Sequence, residues 1–331
     1  MRRACDNRFA GPPFLRKGDR PVNITTTACR KTLSGRIRLA RTWQLYLMLV
    51  PPLILAVIFD YTPLYGLIMA FQDYNPALGF AGSPFVGLKW FRTAMNMPDF
   101  SYIVRNTLTI SIGKIVCGQV CAIVFALLLG EVQNRTCKRV VQTISYFPHF
   151  LSWVIIGGVF IDILSMRGIV NQLITFLGGR PTFFLGSNDH FQGTMIALET
   201  WKEFGYSAIL YLAAMTNINP ELYEAATIDG AGRLQQTWHV TLPGISVTIV
   251  MLAVLSLGGI MNAGFEQILV MYNAAVYQTG DILDTFIYRQ GLLDAQYSLS
   301  TAIGLFKSVI GLFMMLLANA LASKFANYRI F

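Results

Sequence analysis

Glu199, Trp201, Lys202, Glu203, Tyr206 and Tyr211 place two carboxylates, an ammonium group and three aromatic rings in an otherwise apolar segment. Glu199, Glu203 and Tyr206 are spaced i, i+4, i+7, so a helix would carry them on one face. Ring faces combined with hydrogen-bonding side chains are the chemistry for gripping a hydroxyl-rich solute such as a saccharide. Polar groups in such a segment are costly enough to need a reason. Lys202 is also within reach of Glu199, and a structural ion pair between them is the rival reading. Further along, Gly258, Gly259, Asn262, Gly264, Glu266 and Gln267 interrupt a second apolar stretch. Broken helices at membrane depth are tolerated only where protein or a water-filled cavity covers the backbone. The two segments are therefore predicted to line a pathway, with close packing of helices on the glycines as the alternative.

Other chemistries find little support. His149, His190 and His239 are far apart, with no HExxH pattern, so a membrane-embedded metal hydrolase is a weak rival. No GxxxxGK[ST] loop occurs; the pair Gly113 and Lys114 is followed by Ile115, so the chain is not expected to use ATP itself. The five cysteines, Cys5, Cys29, Cys117, Cys121 and Cys137, form no paired CxxC motifs and are read as unreactive thiols.

The elements that must position these residues follow from composition. Of 331 residues, 54% are hydrophobic and 13% charged, about half the charged share of a soluble domain, so lipid must be the solvent for much of the surface. Apolar stretches of roughly 20 residues or more are predicted at 43–71, 103–129, 140–163, 194–216, 245–270 and 302–322. The first contains Asp60, Pro51, Pro52 and Pro63 and is expected to be kinked, tilted or partly outside the bilayer. The predicted fold class is an all-α integral membrane protein with six spans and both termini on one side. The first 42 residues hold eleven basic and two acidic side chains, and so the whole net charge of +9. They read as a cytoplasmic tail preceding the membrane domain 43–331, with the lipid bilayer as its partner rather than nucleic acid. Lys and Arg counts put the termini inside, though without the tail the loops score only six to five. Three loops of about 30 residues, 71–102, 164–193 and 271–301, then face outward, with a surface helix expected near Leu88 to Met95.

The inner loop 217–243 is too ordered for a connector. Asn219 can cap a helix, Pro220 suits its first position, Glu221 suits the positive dipole end, and Gly230 suits a left-handed stop. A short helix is predicted from Glu221 to Asp229, with Leu222, Ala225, Ala226 and Asp229 near one face. A second stretch, Arg233 to Val240, is expected to end at Pro243 where the fifth span begins. Such a helix suits either a groove on a partner or the headgroup layer.

The run Glu224 to Pro243, EAATIDGAGRLQQTWHVTLP, resembles the EAA loop of ABC importer permeases. Glu224, Ala225, Ala226, Gly230, Leu242 and Pro243 fit that pattern with both gaps preserved, and Val240 stands where isoleucine is usual. FQDYNP (71–76), VGLKWF (86–91), RNTL (105–108), YFPHFLSWVIIGG (146–158) and DTFIYRQGL (284–292) are similar to the complex-saccharide branch of the maltose-type permeases. The resemblance spans residues 43–331. It implies a type I importer permease in the bacterial inner membrane, with Glu221 to Pro243 as the coupling helix docked on an ATPase. The implied partners are a second related permease, two copies of a cytoplasmic ATPase that bind ATP and Mg2+, and an extracytoplasmic solute-binding protein. No cofactor is implied in this chain. An oligosaccharide is the implied substrate. Because Arg105, Lys114, Lys202 and Lys307 fall within or near spans and the branch includes alginate-type permeases, an acidic sugar is the first candidate. Ion pairing or snorkelling of those cations is the rival. An ion-coupled secondary sugar transporter is the alternative function.

Overall fold

The computed structural model describes residues 35–325, so residues 1–34, most of the predicted tail, lie outside the described residues, as do Cys5, Cys29 and Arg329. The chain divides into two compact units at Thr62 and Pro63. The first holds α1 (Gly35–Ala56), which contains Pro51 and Pro52, and a π-helical turn at Val57–Tyr61.

The second unit is built from helices α2 (Lys89–Met95), α3 (Phe100–Glu131), α4 (Arg135–Tyr146), α5 (Trp153–Ile163), α6 (Ile169–Phe176), α7 (Asn188–Thr216), α8 (Pro220–Ile228), α9 (Arg233–Gly258), α10 (Phe265–Met271), α11 (Leu283–Tyr288) and α12 (Tyr297–Phe325). Among the described residues the only β pairing is an isolated bridge between Gln72 and Phe85. Among the described residues four helical stretches are long and apolar enough to cross a membrane: Tyr46–Phe71, Phe100–Glu131, Arg233–Gly258 and Tyr297–Ala320.

Three of the predicted spans take a different form. The third, 140–163, is bent by 102° between Arg135–Phe150 and Trp153–Ile163 and counts as a fifth crossing only if the two halves are taken together. Pro148 opens this corner inside a 3-10 turn, and the Ser152 hydroxyl caps α5 by accepting from the Ile155 N–H at 3.5 Å. The fourth, 194–216, is the 29-residue α7, long enough at about 43 Å but outside that apolar set because it carries Glu199, Lys202 and Glu203.

The fifth span breaks at residues 259–264, as its glycines predict, but it starts earlier than expected. The stretch from Arg233 does not stop at Pro243; it runs on as one helix to Gly258. Pro243 has no N–H, and its ring would press on the carbonyl four residues back. The helix widens to a π turn at Thr237–Thr241, closed by the Leu242 N–H to the Thr237 carbonyl, and so passes the proline intact. The π turn Val57–Tyr61, closed by the Thr62 N–H to the Val57 carbonyl, likewise precedes Pro63 in the sequence.

Packing centres on α3 against α7. Ala122, Ala126 and Ala208 are fully buried between them with Tyr211 and Ile245, and these small side chains let the backbones approach. A second cluster joins Ile110, Phe191, Met195 and Ile268 to Trp153 and Ile156, and a third joins Ile103 to Leu283, Leu299 and Ile303. The long loops are pinned by polar clasps. Asn171 donates to the carbonyls of Ser165 and Thr182 at 2.9 Å each and accepts from the Thr182 N–H at 2.7 Å. Asp281 is buried under Arg289, which also stacks on Tyr277. Burial is the largest single influence on Arg289 and works against its charge, but the hydrogen bonds and charge interactions with Asp281 and Tyr272 together hold its pKa above the usual value. The expected surface helix near Leu88 to Met95 is α2.

Candidate functional site

Two regions carry the residues singled out above. The first is α8 with the start of α9. The Asn219 side chain accepts from the Glu221 N–H at 3.1 Å and donates to the Glu221 carboxylate at 3.0 Å, while Pro220 occupies the first turn. At the other end Gly230 takes φ +80°, and the Ala231 N–H reaches back to the Ala226 carbonyl at 2.9 Å. Leu222, Glu224, Ala225, Ile228, Asp229 and Gly230 are exposed, whereas Ala226 is half-buried on the side of Tyr223. The predicted common face therefore divides: Leu222, Ala225 and Asp229 point outward and Ala226 inward. Val240 and Leu242 are half-buried within α9, and Pro243 is exposed there.

The second region is a cavity of about 430 Å³ between α3, α7 and α9, lined by Glu199, Glu203 and Tyr206 together with Lys114, Gln119, Tyr211 and Ser256. The i, i+4, i+7 face of α7 is thus gathered onto one cavity. Its charges are arranged in two groups. The Lys114 ammonium donates to the Ala263 carbonyl at 2.6 Å and to Gln267 Oε1, and stands 3.5 Å from Glu199. Gln267 is fully buried and donates in turn to the Met195 carbonyl at 2.9 Å. One lysine on α3 thereby satisfies the carbonyl freed where the fifth span unwinds.

The other group forms at the corner of the third span. Glu203 meets His149 Nδ1 at 2.7 Å, and Lys202 donates to Glu203 at 3.0 Å and to the His149 carbonyl at 3.2 Å. The His149 and Tyr206 rings stack at 3.8 Å with planes 2° apart. The expected Lys202–Glu199 pair does not form. Adjacent residues on a helix do not face each other, yet Lys202 and Glu203 converge because both reach for the same histidine.

The remaining predicted pathway residues are dispersed. Trp201 packs edge-on against Phe160 at 5.2 Å and does not line the cavity. Asn262 and Glu266 are exposed; Asn262 lines a separate cavity of about 480 Å³ with Tyr288, Tyr297 and the Lys307–Asp284 pair, whose atoms are 2.5 Å apart. Lys114, Lys202 and Lys307 are each paired with an acid, as the rival reading of those cations held, and Arg105 is exposed. Sequence reasoning missed Gln119, which donates to the Tyr211 hydroxyl and the Ile249 carbonyl at 3.1 Å each, and gave no role to His149. The available signal for Gln119 was a lone amide in an apolar run.

An all-helical membrane body with a capped helix exposed between two of its long helices defines a membrane permease component. The chain belongs to the family of binding-protein-dependent transport system inner membrane components, which matches residues 118–327. It is a transport component of the membrane rather than an enzyme, and the membrane-hydrolase and secondary-transporter readings give way to that membership. It is 43% identical to the polygalacturonan/rhamnogalacturonan transport system permease protein YteP of Bacillus subtilis, over 89% of this chain and 92% of that protein. It is 40% identical to the protein LplB of the same organism, over 96% of this chain and 98% of that protein. Among solved structures, a chain of a bacterial alginate ABC transporter, in complex with an alginate pentasaccharide-bound periplasmic protein, matches with a TM-score of 0.80 at 38% identity. That match covers 89% of this chain and 99% of the other.

Proposed function

We propose that the chain is one permease subunit of a bacterial ABC importer that moves an acidic oligosaccharide across the inner membrane. The observation that carries this reading is its likeness, over nine-tenths of its length, to proteins named for two acidic polysaccharides, polygalacturonan and alginate. The paired lysines of this chain do not add to the case for an acidic substrate, which rests on those relatives. A second permease would complete the pathway, a pair of cytoplasmic ATPases would bind ATP and Mg2+, and an extracytoplasmic binding protein would deliver the sugar. The chain would cross the membrane six times with α7 as the fourth crossing and both termini in the cytoplasm, its interior charges matched by partners in the protein.

Helix α8 would dock on an ATPase subunit through its exposed side, with Leu222 and Ala225 in contact and Glu221, Glu224 and Asp229 at the rim. Glu199, Glu203 and Tyr206 would face the passing sugar, a carboxylate and ring set suited to hydroxyl groups. Trp201, Lys202 and Gln267 would act as supports, and Asn262 and Glu266 would line the route beyond the break. Proteoliposomes holding the full transporter test this. Uptake of oligogalacturonate should require ATP and the binding protein and should survive an ionophore. Collapse with the ionophore while ATP is maintained, or equal uptake of a neutral oligosaccharide, would sink the respective part of the reading.

A further inference from the structure

We propose that Tyr223, Thr227, Gln236 and Thr241 form a clasp that gears α8 to α9, making them positioning residues for coupling transport to ATP hydrolysis. The inference rests on the reading of α8 as the docking helix.

Tyr223 and Thr227 are one turn apart on the side of α8 opposite to Leu222 and Ala225. The Tyr223 hydroxyl meets Thr241 Oγ1 at 3.0 Å, and Gln236 Nε2 donates to Thr227 Oγ1 at 3.0 Å while also holding the Ala231 carbonyl at 3.1 Å. Thr241 is buried and directs its own proton toward the Gln236 carbonyl at 3.5 Å, leaving its lone pair to accept from Tyr223. Both partners belong to α9: Gln236 immediately precedes its π turn and Thr241 is the last residue of that turn. Positions 236 and 241 lie about 7.5 Å apart along a helix and positions 223 and 227 about 6 Å, so the two bonds run side by side. A two-point attachment of this kind prevents α8 from pivoting about either bond.

Among the described residues, every side-chain hydrogen bond from α8 to another element ends on α9. Without the clasp no side-chain hydrogen bond would join α8 to another element among the described residues, leaving its two backbone connections and the packing of half-buried Tyr223 and Ala226. The entry connection is wedged against the same helix, because a β-carbon at Gly244 would stand 2.7 Å from Ile218 Cδ1. Helix α9 then runs unbroken for 26 residues, about 39 Å, to the unwound segment whose Ala263 carbonyl is held by Lys114 beside the charged cavity. A push on α8 is therefore delivered to one rod, and the far end of that rod is the break at the cavity. The π turn lets this rod pass Pro243 without a hinge that would absorb the motion.

The test uses the complete transporter in proteoliposomes with oligogalacturonate as the probe, comparing the wild type with Tyr223→Phe, Thr241→Val and the double variant. ATP hydrolysed per sugar imported is the readout, with crosslinking from Ala225→Cys to the ATPase reporting docking. Each single variant should raise the ATP-to-sugar ratio roughly 2- to 10-fold, the scale of one lost hydrogen bond, with the crosslink retained. The double variant should be no worse than either single, because both remove the same bond. An unchanged ratio with docking intact overturns the clasp, as does a double variant whose effect is the product of the singles. Loss of the crosslink in Tyr223→Phe also overturns it, since the hydroxyl would then serve docking and not gearing. Absence of the crosslink in the otherwise wild-type complex is a distinct failure: it removes the docking reading of α8, and the clasp with it.

Discussion

Gly230 and Gly264 hold nearly the same left-handed backbone, φ +80° and +89°, in opposite settings. Nothing lies within 4 Å of where a β-carbon would stand at Gly230, so glycine is favoured there by backbone conformation alone. At Gly264 a β-carbon would stand 2.5 Å from the Lys114 Nζ and near Glu199 and Gln267. Glycine is needed there twice, for the turn and for the ammonium group that fills it. One stop is local chemistry and the other is a tertiary junction.

That difference can be broken by substitution. Gly264→Val should have the largest effect: about 1–2 kcal/mol of backbone strain plus displacement of a buried lysine, about 4 kcal/mol together. Loss of the thermally stable detergent-purified protein would show it; a midpoint within a degree of the wild type would mean Lys114 is not seated as described. Lys114→Met should follow at about 3 kcal/mol, since it strands Glu199, Gln267 and the Ala263 carbonyl. Adding Glu199→Gln should recover part of that loss, whereas strictly additive losses would show that the two groups do not interact.

Gly230→Val comes next. About 1–2 kcal/mol of strain should fall on the loop alone, so membrane insertion and thermal midpoint stay near normal while sugar-stimulated ATP hydrolysis no longer drives uptake. Undiminished coupling would count against α8 as the docking helix. Smallest is Gly230→Asn, within about 0.5 kcal/mol because asparagine tolerates this region; uptake close to wild type would separate the backbone requirement at Gly230 from any need for small size. The same change at Gly264 should be far more damaging, which tests the comparison directly.

The two regions also differ in how much could be read in advance. The ends of α8 were legible because each signal acts within a few residues: Asn219 on Glu221, Pro220 in the first turn, Gly230 after the last. The break in the fifth span was legible from its glycines for the same reason. The second half of the loop was misread because Pro243 is a stop signal in sequence, and only a π turn of unremarkable composition lets the helix continue past it. The corner in the third span was missed because Pro148 and Ser152 are weak local marks within an apolar run.

Local chemistry was sufficient for the membrane class, the capped loop helix and the shared face of Glu199, Glu203 and Tyr206, since those depend on composition and on spacing within one turn or two. The choice of partners was left to the folded chain. Lys114 meets Glu199 across 85 positions, and His149 meets Glu203 across 54. An ion pair forms with whichever opposite charge the packing of α3, α7 and the broken fifth span brings within reach. Sequence distance carries no information about that proximity.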